Sequence, residues 1–115
     1  MNAIIFAMAA LVTVIGSARA ESGVASRYST REQGTRTASG RPLRDGALTA
    51  AHKTLPFGSR VRVTNHANGR SVVVTITRGP YVRGRIIDLT VAACRALGFS
   101  GLAHVTVERT GEAGE

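Results

Sequence analysis

Cysteine, aromatic residues and acidic side chains are all scarce in this chain of 115 residues. Its single cysteine excludes an internal disulfide framework and a Cys-rich zinc module. Tryptophan is absent, and two tyrosines and three phenylalanines offer little surface for stacking nucleic-acid bases. The three histidines have no carboxylates at metal-ligand spacing, so we expect neither a metal site nor a cofactor. The length leaves room for one compact domain.

Positive charge is what the sequence has in excess, with 15 basic residues against 7 acidic ones and a formal net charge of +8. Every basic residue except Lys53 is arginine, whose planar guanidinium binds carboxylates and phosphates through paired hydrogen bonds. An acidic polymer is therefore the expected kind of partner. Nucleic acid is a rival polymer, but the few aromatic residues, the lack of a helical reading head and an export signal argue against it.

The amino terminus has the pattern of that export signal. Residues 3–15 form an uncharged apolar run too short to cross a bilayer comfortably, and Ala18-Arg19-Ala20 has the small-x-small form that signal peptidase cleaves. We predict a signal peptide over residues 1–20 and an exported domain over residues 21–115, periplasmic or secreted and monomeric. We expect no transmembrane segment after cleavage and no lipid anchor, because no cysteine lies near the cut. The alternative is a buried amino-terminal helix, since the first residues lack Lys and Arg.

Alternation of apolar and polar residues dominates the rest of the chain. Residues 60–64 and 70–77 each place apolar side chains on one face, which predicts two strands. The Asn68-Gly69 pair between them is typical of a hairpin turn. Weaker strands are predicted over residues 23–29, 48–51, 85–89 and 103–109.

One short helix interrupts the strands. Thr90 has a hydroxyl that can cap the first turn, and Gly98 can adopt the left-handed conformation that ends a helix after Leu97. Cys94 would lie on the buried face of this helix as a packing residue. Six short strands and one helix predict a mainly β domain closed into a small barrel. Residues 30–45 and 78–84 are predicted to be loops that line a groove.

Four segments resemble the rare lipoprotein A (RlpA) family, and they lie at residues 25–28, 34–40, 47–58 and 78–89. The resemblance implies a six-stranded double-psi β-barrel. As a departure from the family, we expect no carboxy-terminal peptidoglycan-binding repeat domain in this chain. It also implies an exported protein that acts on peptidoglycan glycan strands, preferring strands stripped of peptide. In the active members it implies an endolytic lytic transglycosylase that leaves 1,6-anhydro-muramic ends.

The chain departs from that family pattern at its acidic positions. Active members carry acids where this sequence has Arg41, Arg44 and Thr77, and an aromatic residue where it has Arg27. The alternative function is therefore a catalytically degenerate barrel that binds glycan. Expansins, which share the barrel and loosen wall polysaccharide without cleaving it, are the model for this alternative.

Lytic cleavage of a glycan requires one well-placed carboxylic acid, and few remain as candidates. Asp88 follows two isoleucines at a strand end and is the predicted acid; alternatively it accepts backbone N–H bonds ahead of the helix. Asp45 lies one position past the family's second acid, with an Asp-Gly turn as the alternative. His52 matches the family's groove histidine, which would orient a carboxylate or bind a sugar hydroxyl. Its alternative is a histidine held inside the barrel by backbone carbonyls.

Substrate-binding candidates fall in the predicted groove loops. Two tyrosines would hydrogen-bond or stack against sugars, or else pack the barrel. Four arginines would bind the lactyl carboxylate of peptide-free muramic acid, or else form a solvated exterior. These residues are Tyr28, Tyr81, Arg41, Arg44, Arg78 and Arg83.

Overall fold

The computed structural model describes residues 20–28, 40, 42, 44–78 and 84–110, with only the backbone of Arg78. It contains six strands and one helix in this part of the chain, which confirms the predicted mainly β class. The strands are β1 (Ala20–Arg27), β2 (Thr49–His52), β3 (Arg60–Asn65), β4 (Ser71–Arg78), β5 (Ile87–Leu89) and β6 (Ala103–Arg109), and the helix is α1 (Val91–Leu97). No helix in the described ranges is both long and apolar enough to cross a membrane.

The six strands close into a barrel in the order β1-β5-β2-β4-β3-β6. The β1–β5 and β2–β4 pairs are parallel, and the other four pairs are antiparallel. Closure pairs every strand on both sides, so the small sheet exposes no edge. The predicted closed barrel is confirmed.

Strand alternation sorts side chains between the barrel interior and the outside. Along β3, Val61 and Val63 are buried while Arg60 and Arg62 are exposed. Val74 of β4, opposite Val61, and Val107 of β6, opposite Val63, are buried on the same face. Removing side chains of this size from water stabilises the fold by roughly 1.5–3 kcal/mol each.

Helix α1 and the β3–β4 hairpin form one unit at one end of the barrel. Thr90 Oγ1 accepts from the Ala93 N–H, and Gly98 ends the helix with φ 81°, as predicted. The side-chain amides of Asn65 and Asn68 both donate to the carbonyl oxygen of Leu97, at 2.8 and 2.9 Å. These two bonds attach the helix end to the hairpin. The inner face of the helix, with Ala93, Cys94 and Leu97, packs in the hydrophobic core.

Strand ends differ from the predictions by one to three residues. Strand β1 begins at Ala20 instead of residue 23, because Ala20 to Ser22 pair with Glu108 to Thr106 of β6. Strand β5 is shorter than predicted and starts at Ile87. The predicted cleavage after Ala20 falls one residue inside β1 and stays a prediction, as do the proposed signal peptide and domain limits.

Candidate active site

Asp88 lies in the middle of β5, between two neighbouring strands. Its register partners are Ser26 of β1 and Ala51 of β2. Ser26 Oγ donates a hydrogen bond of 2.9 Å to Asp88 Oδ1. The Asp88 residue is only 4% exposed, so this carboxyl is held by a hydroxyl from another strand in a mostly water-excluded position. The helix that follows is capped by Thr90. The alternative, that Asp88 accepts backbone N–H bonds ahead of this helix, stays a prediction.

A groove of about 270 Å³ runs past this carboxyl on the outside of the barrel. Ile87 and Leu89 face the core, and therefore Asp88 points to the opposite face of β5. The lining residues are Ser26, Arg27, Arg85, Asp88, Ser100, Gly101 and Leu102. The groove thus combines one buried carboxyl with two guanidinium groups, an arrangement able to hold an anionic ligand beside an acid.

His52 ends β2, and both of its ring nitrogens have partners within the protein. Nδ1 accepts from the backbone N–H groups of Thr54 and Leu55 at 3.1 and 3.2 Å. Because Nδ1 is an acceptor, the proton of the neutral ring lies on Nε2, which donates to Glu21 Oε1 at 3.0 Å. The alternative interpretation placed backbone carbonyls around this ring, and the structure places backbone N–H groups and a carboxylate there instead.

The register places His52 and Asp88 on opposite faces of the sheet. His52 pairs with Ile87, while Asp88 pairs with Ala51. Neighbouring residues of a strand point in opposite directions, so His52 shares the inner face with Ile87. The sequence predicts that His52 orients a carboxylate such as that of Asp88. In this structure such an effect would have to act from one face of the sheet to the other, and it stays a prediction.

Asp45 occupies the turn that the alternative interpretation predicts. The Ala47 N–H donates to the carbonyl of Arg44 at 3.1 Å, closing a turn around Asp45 and Gly46. The main-chain oxygen of Asp45 accepts from the Ala92 N–H at 2.9 Å, which places this turn beside the first turn of α1. Arg44 is exposed here. A catalytic role for the Asp45 side chain stays a prediction.

The remaining predicted site residues have mixed outcomes. Tyr28 is fully buried beside Ala51, in agreement with the packing alternative, and a sugar contact there stays a prediction. Thr77, at a position where the resemblance expects an acid, is 3% exposed, and its hydroxyl has no hydrogen-bond partner in the described part of the chain. Arg41, Tyr81, Arg83 and the Arg78 side chain lie outside the described residues.

Sequence reasoning missed several residues that line these sites. The parallel β1–β5 pairing and the closure of the barrel are what position these residues, which are Ser26, Arg85 and Glu21. The sequence pattern marks Arg27 as the loss of an aromatic residue, whereas the structure makes it a cation of the groove. Among the described residues, no group of three or more His, Cys, Asp or Glu side chains is arranged to hold a metal ion.

A second groove of about 480 Å³ adjoins the first one at Leu102, which lines both. It lies at the hairpin and helix end and is lined by Asn65, His66, Ala67, Asn68, Gly98, Phe99, Leu102, Ala103 and His104. Leu102 is 59% exposed, so the place where the two grooves meet carries an exposed apolar side chain.

Comparison with known proteins gives matches to both sequence and fold. A family model described as lytic transglycolase matches residues 20–109. The probable endolytic peptidoglycan transglycosylase RlpA of Synechocystis sp. is 52% identical over 93 residues, which cover 78% of this chain and 29% of that protein. The endolytic peptidoglycan transglycosylase RlpA of Pasteurella multocida is 52% identical over 95 residues, covering 80% of this chain and 32% of that protein. The chain therefore spans about a third or less of these relatives.

Two solved structures resemble the barrel at low sequence identity. Apo expansin from Clavibacter michiganensis matches with a TM-score of 0.63 and 20% identity, covering 84% of this chain and 52% of that one. The rationally designed mkDPBB_sym2 protein matches with a TM-score of 0.50 and 19% identity, covering 78% of this chain and all of that one. These likenesses confirm the double-psi β-barrel fold.

Proposed function

Because the chain belongs to the lytic transglycolase family, we propose that it acts on peptidoglycan glycan strands as an endolytic lytic transglycosylase. The observation that carries the proposal is the Asp88 carboxyl, 4% exposed, bonded to Ser26 and lining a groove with two arginines. Action on peptidoglycan places the protein outside the cytoplasmic membrane, and the signal peptide predicted over residues 1–20 would send it there.

Asp88 is the residue that we assign to proton transfer. The protonated carboxyl donates its proton to the glycosidic oxygen as the bond from that oxygen to C1 of the muramic sugar breaks. The resulting carboxylate accepts the proton of the C6 hydroxyl of the same sugar, whose oxygen forms the new bond to C1. The products are a free hydroxyl end and a 1,6-anhydro ring, no water is consumed, and the carboxyl is protonated again.

Ser26 orients the Asp88 carboxyl for this transfer. Its hydroxyl donates to Oδ1 at 2.9 Å and holds the carboxyl beside the groove. A carboxyl that is fixed in a groove is oriented before substrate binds, and no ordering cost is added during the reaction.

The arginines of the groove support peptide-free strands as substrate. Arg27 is exposed and Arg85 is half-buried, and both line the groove beside Asp88. The lactyl carboxylate that remains on muramic acid after peptide removal fits a guanidinium fork. Arg44 is an exposed cation that would extend this attraction. Arg41, Arg78 and Arg83 are proposed to do the same from the groove loops, with Tyr81 as a sugar contact. Tyr28 is fully buried, so we assign it to packing of the barrel.

The test is mass spectrometry of the products released from peptide-free glycan strands. We expect wild-type protein to release 1,6-anhydro-muramic ends and Asp88→Asn to lower their rate of formation about a hundredfold or more. Glu108→Gln, on the outer side of β6, is the matched control and should keep wild-type activity. Asp45→Asn tests the second candidate acid in the same assay. Folded wild-type protein that releases no anhydro product would overturn the proposal.

A barrel that binds glycan without cleaving it is the second candidate function. It is favoured by Thr77, a buried hydroxyl at a position where the resemblance expects an acid, and by Arg41 and Arg44 at two further such positions. This candidate predicts retention on purified sacculi with no fragment released. Asp88→Asn protein that keeps its retention while losing product would favour the enzyme over the binder.

A further inference from the structure

His52 ends β2 at the opening of the barrel that we call the barrel mouth. It offers no ring nitrogen to a sugar in the described structure. Nδ1 of His52 is used by two backbone N–H groups and Nε2 by Glu21. The His52 side chain is 4% exposed, whereas the Glu21 side chain is 50% exposed. Of the two members of this pair, the group that meets solvent is therefore the carboxylate.

Glu21 reaches this position from the start of β1. It pairs with Val107 of β6 and shares the inner face of β1 with Gly23 and Ala25. Strand β5, which separates β1 from β2, begins only at Ile87, opposite Ala25. The Glu21 side chain thus lies beyond the end of β5 and crosses the barrel mouth to His52 on β2.

Gly23 fits the close packing next to this crossing. A Cβ at Gly23 would lie 2.6 Å from Ile86 Cγ2, so Ile86 occupies the space that a side chain would need. Ile86 and Leu55 both pack against the core at this mouth. The His52 side chain is buried beside this packing, and the Glu21 carboxylate remains half exposed.

We propose that Glu21 is a substrate-contacting carboxylate and that His52 is the residue that positions it. The inference rests on the proposed function, since it names a second contact for the same glycan. His52 occupies one lone pair of Oε1, and the other acceptor positions of the carboxylate take a sugar hydroxyl or an acetamido N–H. An N-acetylated hexosamine carries both kinds of donor. Fixed by a buried ring with one tautomer, the carboxylate is ordered before the sugar arrives.

The competing account is a purely structural bond that ties β1 to β2. The two roles differ in what they change: a structural bond affects the free energy of unfolding, whereas a substrate contact affects glycan affinity in protein that is fully folded. Glu21→Gln keeps an oxygen acceptor for His52 with nearly the same shape, so it separates the two even where Glu21→Ala does not fold.

Glycan affinity is measured in the Asp88→Asn background, where we expect cleavage to be at least about a hundredfold slower, with peptide-free strands of defined length as the probe. We expect Glu21→Ala to weaken binding about tenfold, because a hydrogen bond to a charged acceptor is lost, and Glu21→Gln to weaken it less. Glu108→Ala is the matched control and should bind like the parent. In the active background, the KM should rise with kcat unchanged.

Failure of this inference is distinguishable from failure of the proposed function. If wild-type protein cleaves glycan while the folded Glu21 variants bind and cleave like wild type, the inference is wrong and the function stands. If wild-type protein releases no product but the Glu21 variants still lose affinity, Glu21 is a glycan contact and the proposed enzymatic activity is wrong. A lower melting temperature with unchanged affinity in both variants would assign Glu21 to structure alone.

Discussion

Cys94 is the residue whose chemistry the fold changes most clearly. It lies on the inner face of α1, 1% exposed, with its Sγ 3.8 Å from the carbonyl oxygen of Leu89. Burial raises the pKa of the Cys94 thiol from its ordinary 9.0 to about 12; the charge of Arg27 opposes the rise and that of Asp88 adds to it. The thiol therefore stays protonated at neutral pH and packs as a small apolar group, as the sequence predicts.

This raised pKa predicts a loss of stability at alkaline pH. The unfolded chain releases the thiol proton near pH 9, whereas the folded chain keeps it to about pH 12. Rising pH across that window therefore favours the unfolded chain, by about 1.4 kcal/mol per pH unit for one group. Urea unfolding of wild-type and Cys94→Ala protein at pH 8 and pH 10.5 checks this, because other titrating groups cancel in the difference. A wild-type advantage that is the same at both values would contradict the prediction.

Single residues were predictable where the signal is local. Thr90 and Gly98 cap α1 because a hydroxyl and a left-handed glycine act on the turn next to them. The Ser26–Asp88 and Glu21–His52 pairs join residues 62 and 31 positions apart, and only the barrel register brings them together. The position of the Glu21 carboxylate at the barrel mouth could therefore not be predicted from sequence patterns.

The parallel β1–β5 pair is the element contact on which both candidate sites depend. It places Ser26 beside Asp88, and its packing leaves room for Ile86 against the backbone of Gly23. Strand faces followed from alternation, so the interior could be predicted from the sequence. Strand ends could not, because they are set by partners such as Glu108 of β6, which extends β1 to Ala20.

Gly23→Ala should destabilise the barrel by about 1–3 kcal/mol, because its Cβ would overlap Ile86 Cγ2. Ile86→Ala removes that methyl group, so the double variant should be more stable than the sum of the two single changes predicts. Gly46→Ala is the matched control, since a Cβ there meets nothing within 4 Å. Urea unfolding measures all four proteins. Strictly additive effects would show that this contact does not limit the β1–β5 packing.

At the scale of the whole molecule, positive charge is spread over two different surfaces. Arg27 and Arg85 line the groove beside Asp88, while Arg60 and Arg62 are carried by β3. Alternation turns the β3 pair outward, because Val61 and Val63 between and beside them fill the core. The net charge of +8 predicts attraction to any anionic polymer, whereas the groove pair places guanidinium groups beside the carboxyl of Asp88.

Salt dependence separates groove recognition from this general attraction. Raising NaCl from 0.1 to 1 M shortens the Debye length from about 10 to about 3 Å, so binding of peptide-free glycan should weaken. At 0.1 M, Arg27→Gln with Arg85→Gln should lower the affinity about tenfold, because two charge-assisted contacts to lactyl carboxylates are lost. Arg60→Gln with Arg62→Gln removes the same charge from the other surface and should change affinity less than about twofold. Sedimentation with fluorescently labelled strands measures each protein at both salt concentrations. Equal losses in the two double variants would mean that the polymer is held by diffuse charge and not by the groove beside Asp88.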